Sequence, residues 1–271
     1  MLKGKSIAEI ESMPYVEFMS HIEGSNRPPG GKWSVARIAQ ICNITKDSFV
    51  LDTGCNSGYV SLELARITGC KVVGIDIDPS MIKSANEQLE LDIPDIKALV
   101  EFRVGDATHL PFEDNMFDVV VCGGSTAFMD DKVAALKEYA RAAKPWGFVA
   151  DVNFFYDQDP PERLLRELND LLGITIEAWD KSYWIELYDS TGLEEYRTEP
   201  INIAHTTDKH IDEYCDFMAK QAVQSDDEIR AVKARLVETM SLFNENHRYL
   251  SALVSVRRKR FIPEEPSLFG A

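Results

Sequence analysis

The chain has 271 residues, 45% of them hydrophobic and 27% charged, with a formal charge of −16 from 45 acidic against 29 basic residues. That length allows one large core or two small ones, and that charge repels phosphate backbones, which disfavours DNA or RNA as substrate unless a local basic patch intervenes. No apolar run reaches the length of a membrane span, the opening MLKGKSIAEIESM lacks the apolar centre of a secretion signal, and five cysteines without a C-x-x-C pair read as free thiols of a reducing, cytoplasmic compartment.

In chain order, Ser6 and Glu9 form an S-x-x-E capping box ahead of Ile7 and Ile10, which predicts a first helix. Pro14 opens a second short helix carrying Tyr15, Val16, Phe18 and Met19, ended by Gly24. NRPPGGK, residues 26–32, is a loop, because two prolines remove donors and two glycines permit unusual backbone angles. Trp33, Val35, Ile38 and Ile41 then recur at helical spacing.

From Ser48 the texture alternates. SFVLD, KVVGID, VEFRVGD, FDVVVCGG and GFVADVNFF read as strands, with the helices SGYVSLELARITG, PSMIKSANEQLELDI and DKVAALKEYARAAK among them. Short Val/Ile-rich strands alternating with helices mean βαβ units and a parallel sheet covered on both faces. Further on, PPERLLRELNDLLG is helical, DSTGLEEYRTEPINI is a helix end followed by a strand, and 209–246 is mostly helical. YLSALVSVRRKR is the final strand, with RRKR (257–260) decorating its end. The whole reads as one domain, with a helical insertion before the last strand.

VLDTGCNSGYVSLELA, residues 50–65, runs from strand through a glycine turn into a helix, a geometry that sets helix N-terminal N–H groups against an anionic or polar ligand. Alone, Gly54 and Gly58 read equally well as a tight connection. Two acids tip the balance. Asp76 ends the second strand about 20 residues after the turn, where a carboxylate accepts from ribose hydroxyls. Asp106 ends the third, where it can accept from the exocyclic amine of an adenine. Asp78, directly before Pro79, suits a helix cap instead. A dinucleotide loop would need glycine at 56 and 59, and the chain has Asn56 and Tyr59, so the expected ligand is a nucleoside without a pyrophosphate.

These blocks, with VVGIDIDPSMI, VEFRVGDATHLPFEDNMFDVVVCGG and AAKPWGFVADVNFF following in order, resemble the class I S-adenosylmethionine-dependent methyltransferases, in their small-molecule branch with a D-x-G-C-G-x-G loop; the likeness covers residues 33–155. It implies an α/β, Rossmann-like, doubly wound and mainly parallel seven-stranded sheet with helices on both faces. It implies S-adenosylmethionine as cofactor, with Asp52, Gly54 and Gly58 around its methionine part, Asp76 and Ile77 at the ribose, and Asp106 and Ala107 at the adenine. Cys55 matches a cysteine often found there and reads as packing. Asn56 departs from the pattern; asparagine tolerates the left-handed conformation, and its amide is a further candidate cofactor contact. The expected division is an N-terminal helical lid (1–32), a cofactor-binding core (33–155), and an acceptor-side part (156–271) whose insertion at about 209–246 covers the acceptor.

Methyl transfer from a sulfonium is an in-line displacement, so positioning and exclusion of water dominate, and a base is needed only for an acceptor protonated at neutral pH. Gly123 would let backbone lie near the sulfonium. Ser125 and Thr126 either orient the acceptor or cap the next helix, and Arg27 either reaches a carboxylate from the lid or is a surface residue. His21 and His205 are candidate bases, though a lone histidine is as readily structural. Asp151 and Asn153 share the oxygen-ligand pattern of magnesium-dependent catechol-type methyltransferases, but GGST after the fourth strand lacks the further carboxylate, so no metal is expected. Tyr156, Tyr183 and Trp184 form an aromatic wall or core; Tyr214, Phe217 and Met218 face the acceptor or the interior. Expected partners are a small-molecule acceptor alone, without nucleic acid or membrane, in a monomer or homodimer. Two other classes compete: a lyase or cyclase using the sulfonium's other carbons, and a non-catalytic cofactor-binding module.

Overall fold

The computed structural model describes residues 2, 5–22 and 26–261. Helix α1 (Ile7–Ser12) is closed by the expected capping box: the Glu9 N–H donates to the Ser6 hydroxyl, and the Ser6 N–H to the Glu9 carboxylate at 2.7 Å. Helix α2 (Tyr15–Ser20) follows Pro14; Gly24, expected to end it, lies outside the described residues. Helix α3 (Lys32–Ile41) buries Val35 and Ile38 and leaves Trp33 half exposed.

The strands are β1 (Phe49–Thr53), β2 (Lys71–Asp76), β3 (Val100–Val104), β4 (Phe117–Cys122), β5 (Ala143–Tyr156), β6 (Glu194–Ile201) and β7 (Leu250–Arg258). They form one sheet in the order β3-β2-β1-β4-β5-β7-β6, parallel except for β7, which runs antiparallel to both neighbours. The chain starts in mid-sheet at β1, moves out to β3 and returns to β4. The order therefore reverses between β1 and β4, and a crevice opens at the carboxyl ends there. β5 begins earlier than its apolar run suggests, because the register shifts between Phe117 and Val119 and Trp146 takes a left-handed turn (φ 64°).

Both faces are covered. Helices α4 (Tyr59–Thr68) and α5 (Pro79–Glu90) join α3 on one face, with Leu62, Leu64, Ile82 and Leu89 against Val72, Val119 and Val121. On the other, α7 (Lys132–Ala142) and α9 (Lys181–Asp189) bring Leu136, Tyr139, Trp184 and Tyr188 against Val120, Val149 and Leu253. Trp184 is fully buried in that core and Tyr156 nearly so, with its hydroxyl donating to Asn246; Tyr183 is half-buried, stacked on Trp179. The expected aromatic wall is thus mostly interior. Short α6 (Pro94–Lys97) precedes β3, and α8 (Glu162–Leu172) packs on α11.

Between β6 and β7 stand α10 (Asp208–Ala222) and α11 (Asp226–Asn246), the latter opened by a Ser225–Glu228 capping box. They share a separate apolar core with the N-terminal segment, in which Ile10, Met13, Phe18 and Met19 meet Ile211, Met218, Val232 and Leu236. Arg235 of α11 donates to the carbonyls of Ile10 and Met13 and lies 4.2 Å from the Phe18 ring centre. The RRKR cluster is engaged at the sheet edge: Arg257 is buried against Asp189, Arg258 pairs with Glu194, and Lys259 donates to Asn115 and to the Arg141 and Ala143 carbonyls. Among the described residues no helix is long and apolar enough to cross a membrane.

Candidate active site

The turn after β1 reverses the chain with three left-handed residues in five: Gly54 (φ 62°), Asn56 (φ 49°) and Gly58 (φ 88°). Asparagine holds its place there as expected, but its side-chain amide donates to the Gly54 carbonyl at 3.1 Å and closes the loop on itself rather than reaching outward. The glycines answer to protein contacts. A Cβ at 54 would stand 2.0 Å from the Ser125 hydroxyl oxygen, and one at 58 would stand 2.6 Å from the Phe102 ring. Cys55 is buried, its N–H donating to the Ile75 carbonyl, and burial pushes its thiol well up, which is the packing role.

Asp76 binds the loop to the second strand. Its carboxylate accepts from the Asn56 N–H at 2.9 Å and the Asp78 N–H at 3.0 Å, and its carbonyl accepts from the Gly105 N–H beyond β3. Burial raises its titration while those N–H groups oppose the rise. Asp78 caps α5 through the Ser80 N–H, as its place before Pro79 foretells. Asp106 is more open; it accepts from the Thr108 N–H and hydroxyl at 2.8 and 2.7 Å, which hold it below the usual carboxylate range. Ile77 stands 70% exposed at the same edge, while Ala107 is buried. Asp52 lies inside, one oxygen accepting from Ser61 at 2.6 Å and the other without a donor, and burial pushes it up to about 7. Helix α4 starts after Gly58 without a side-chain cap.

Gly123 and Gly124 follow β4, the latter left-handed (φ 112°). A Cβ at 123 would stand 2.9 Å from Val60 and 3.6 Å from Pro28; one at 124 would stand 3.5 Å from Pro29. The segment expected to be a lid therefore lies across this turn. It runs from Asn26, whose amide donates to the Met81 sulfur, past Arg27 over the Tyr59 ring (5.4 Å), to Gly30 beside Ile201 at the end of β6.

Neither Ser125 nor Thr126 caps the next helix. The Ser125 hydroxyl donates to the Thr53 carbonyl at 3.0 Å, and Thr126, fully buried, donates to the Cys122 sulfur at 3.1 Å. Both hydroxyls fasten the β4 turn to the sheet, and Asp131 caps α7. Asp151 and Asn153 are buried on either side of the Tyr188 hydroxyl, which donates to Asp151 at 3.3 Å; burial pushes Asp151 up to about 6. His21 is half-buried in the field of Lys5, Glu17 and Glu87 and titrates below its ordinary value. His205 is exposed, beside His247.

An open cavity of ≈ 330 Å³ lies between α10 and α11. Tyr214 lines it, whereas Met218 belongs to the helical core and Phe217 is 59% exposed. It also brings in His210 and His247, which the sequence reading passed over. The signal was available for His247: it directly precedes a last strand that must start at the ligand-bearing edge if it runs antiparallel.

The electrostatics suit one ligand class. The segments at the carboxyl ends of β1 to β4 (50–65, 74–82, 104–112 and 117–131) supply Asp52, Asp76, Asp78 and Asp106 and contain no lysine or arginine. Such a field attracts a cationic sulfonium and repels a pyrophosphate. Asp76 ends β2, Asp106 lies two residues beyond the neighbouring β3, and Ile77 offers an exposed apolar face at the same edge.

Comparison with known proteins agrees. Residues 51–151 match the family described as a methyltransferase domain. Over 114 residues the chain is 42% identical to the 2-methyl-6-phytyl-1,4-hydroquinone methyltransferase of a Synechocystis strain, a match covering 41% of this chain and 34% of that enzyme. The chain thus aligns with about a third of that relative's length. The crystal structure of MccD protein superposes with a TM-score of 0.74 at 24% identity, covering 87% of this chain and all of that one. A phosphoethanolamine N-methyltransferase 2 of Haemonchus contortus, solved with S-adenosyl-L-methionine, superposes at 0.68 and 19% identity, over 94% of this chain and 60% of its own. Residues 51–151 thus form a methyltransferase domain, carried on a seven-stranded sheet that shares the fold of the class I S-adenosylmethionine-dependent methyltransferases, with an acid-lined switch point.

Proposed function

We propose that this protein transfers the methyl group of S-adenosylmethionine to a small-molecule acceptor. The observation that carries the reading is the joining of the 54–58 turn, Asp76 and the end of β3 into one hydrogen-bonded edge whose own segments carry no lysine or arginine. When bound, the cofactor supplies an electrophilic methyl carbon on a sulfonium. Asp76 accepts from the ribose hydroxyls with the lone pairs its two backbone partners leave, Asp106 and the Ala107 backbone meet the adenine, and Ile77 covers its face. The turn at Gly123 lets backbone approach the reacting end, while Pro28 and Pro29, both buried, exclude water from above. Asp52 keeps the floor of the site negative when ionised. The buried, unpaired state of all five cysteines suits a reducing cytoplasm, and a monomer or homodimer acting without nucleic acid suits the net charge.

Titration calorimetry with S-adenosylmethionine, followed by mass spectrometry after incubation with candidate acceptors, tests this. Binding and release of S-adenosylhomocysteine are expected. Methylthioadenosine as the product would make it a lyase or cyclase, and absence of binding would remove the reading.

A further inference from the structure

We propose that the cavity between α10 and α11 receives the acceptor, and that this acceptor is a compact, uncharged aromatic alcohol. The assignment of the cavity to an acceptor rests on the methyl-transfer reading above; the chemistry of the ligand rests on the cavity itself.

At ≈ 330 Å³ it lies at the low end of small-molecule sites (~300–1,000 Å³), which favours a small ring system over a long chain or a macromolecule. Ile211, Met240 and Phe243 give it apolar walls, and with Tyr214 and the imidazoles three kinds of ring face the space. No lysine, arginine, aspartate or glutamate lines it, so a carboxylate or ammonium would lose its water without gaining a partner.

The polar groups divide unequally. Asn244 is turned to the Thr206 backbone, its side chain accepting from the Thr206 N–H and donating to the Thr206 carbonyl, both at 3.0 Å, so it shapes the wall. His247 and His210 remain to meet a ligand. The His247 ring stacks on Phe154 at 5.8 Å, which fixes its plane, and burial together with neighbouring His205 lowers its titration below the ordinary imidazole value. A neutral imidazole has one donor and one acceptor nitrogen, the complement of a hydroxyl.

The position is right as well. Phe154 extends from the carboxyl end of β5, beyond its last pairing with β4, and Thr206 follows the carboxyl end of β6. Arg27 sits over Tyr59, the first residue of α4, and its charge also reaches the Tyr214 hydroxyl. The strap at 26–30 thus connects the cofactor turn to this cavity.

The test titrates the full chain with 2-naphthol and with 2-naphthoate, in the presence of S-adenosylhomocysteine. The wild type is expected to bind naphthol and to discriminate against naphthoate at least tenfold. His247→Phe keeps the stacked ring but loses the nitrogens, and Met240→Trp fills the space; each should weaken naphthol at least tenfold while S-adenosylhomocysteine affinity stays within twofold. Phe217→Ala, on α10 but outside the lining, should change neither. Thermal melts check folding, and His247→Phe carries the test if Met240→Trp is unstable. Equal binding of naphthoate, or no binding of naphthol by the wild type, overturns the ligand class; naphthol binding untouched by His247→Phe overturns the site. If S-adenosylhomocysteine fails to bind the wild type while naphthol behaves as stated, the methyl-transfer reading falls and the cavity assignment stands.

Discussion

Asp76, proposed for the ribose, already serves the fold, since its carboxylate holds two backbone N–H groups from two different turns. Asp76→Ala should weaken S-adenosylmethionine by roughly tenfold or more, the ~1.5–3 kcal/mol typical of a hydrogen bond to a charged acceptor, and lower the melting temperature as well. Calorimetry showing an unchanged Kd would remove Asp76 from the ribose. Gly54 invites a second substitution. Gly54→Ala meets Ser125 Oγ at 2.0 Å and Cβ at 2.5 Å, so it should destabilise by several kcal/mol. Adding Ser125→Gly removes both clashing atoms and should recover most of that loss, leaving the ~1–2 kcal/mol of a left-handed alanine. Denaturant melts of the two single variants and the double show it; strict additivity would contradict the packing. The turn itself was legible from its glycines and from the acid spacing. Why the glycines are needed was not, because the atoms they make room for come from β4's turn and from β3, far along the chain.

Elements were easiest to read where the signal is local. The Ser6 and Asp78 caps and the apolar runs of β1 to β5 each declare themselves within a few residues. Aromatic residues carried no such signal, since Trp184 in a core and Tyr214 at a cavity look alike until the helix has a partner. The same ambiguity hid the tie between α11 and the N-terminus, for which Arg235 is accountable. Arg235→Ala loses two carbonyl contacts and a cation–π contact with Phe18. It should therefore raise hydrogen exchange in α1 and α2 by about tenfold or more while leaving cofactor affinity within twofold. Unchanged protection in those helices would show that apolar contacts alone hold them.

For the whole molecule, the buried acids set a pH dependence. Burial pushes Asp52 up to about 7 and Asp151 up to about 6 when folded, against the ordinary aspartate value of 3.8. Both pKa values are raised, so the folded state keeps protons that the unfolded chain has released. The stabilisation is complete below about pH 4 and is lost as pH climbs to about 7, a change on the order of 4 kcal/mol for Asp52. Asp52→Asn cannot ionise and should flatten stability across that window in urea melts, whereas a slope as steep as wild type would place Asp52 outside the titrating set.

The separate helical core has one more implication, for how the chain is made. It joins α1 and α2 to α10 and α11, segments separated by roughly 190 residues. At ~5–20 residues per second of synthesis, the apolar faces of Phe18 and Met19 wait about ten to forty seconds on the ribosome before their partners emerge. Through that interval they are sticky surface, a natural target for a nascent-chain chaperone.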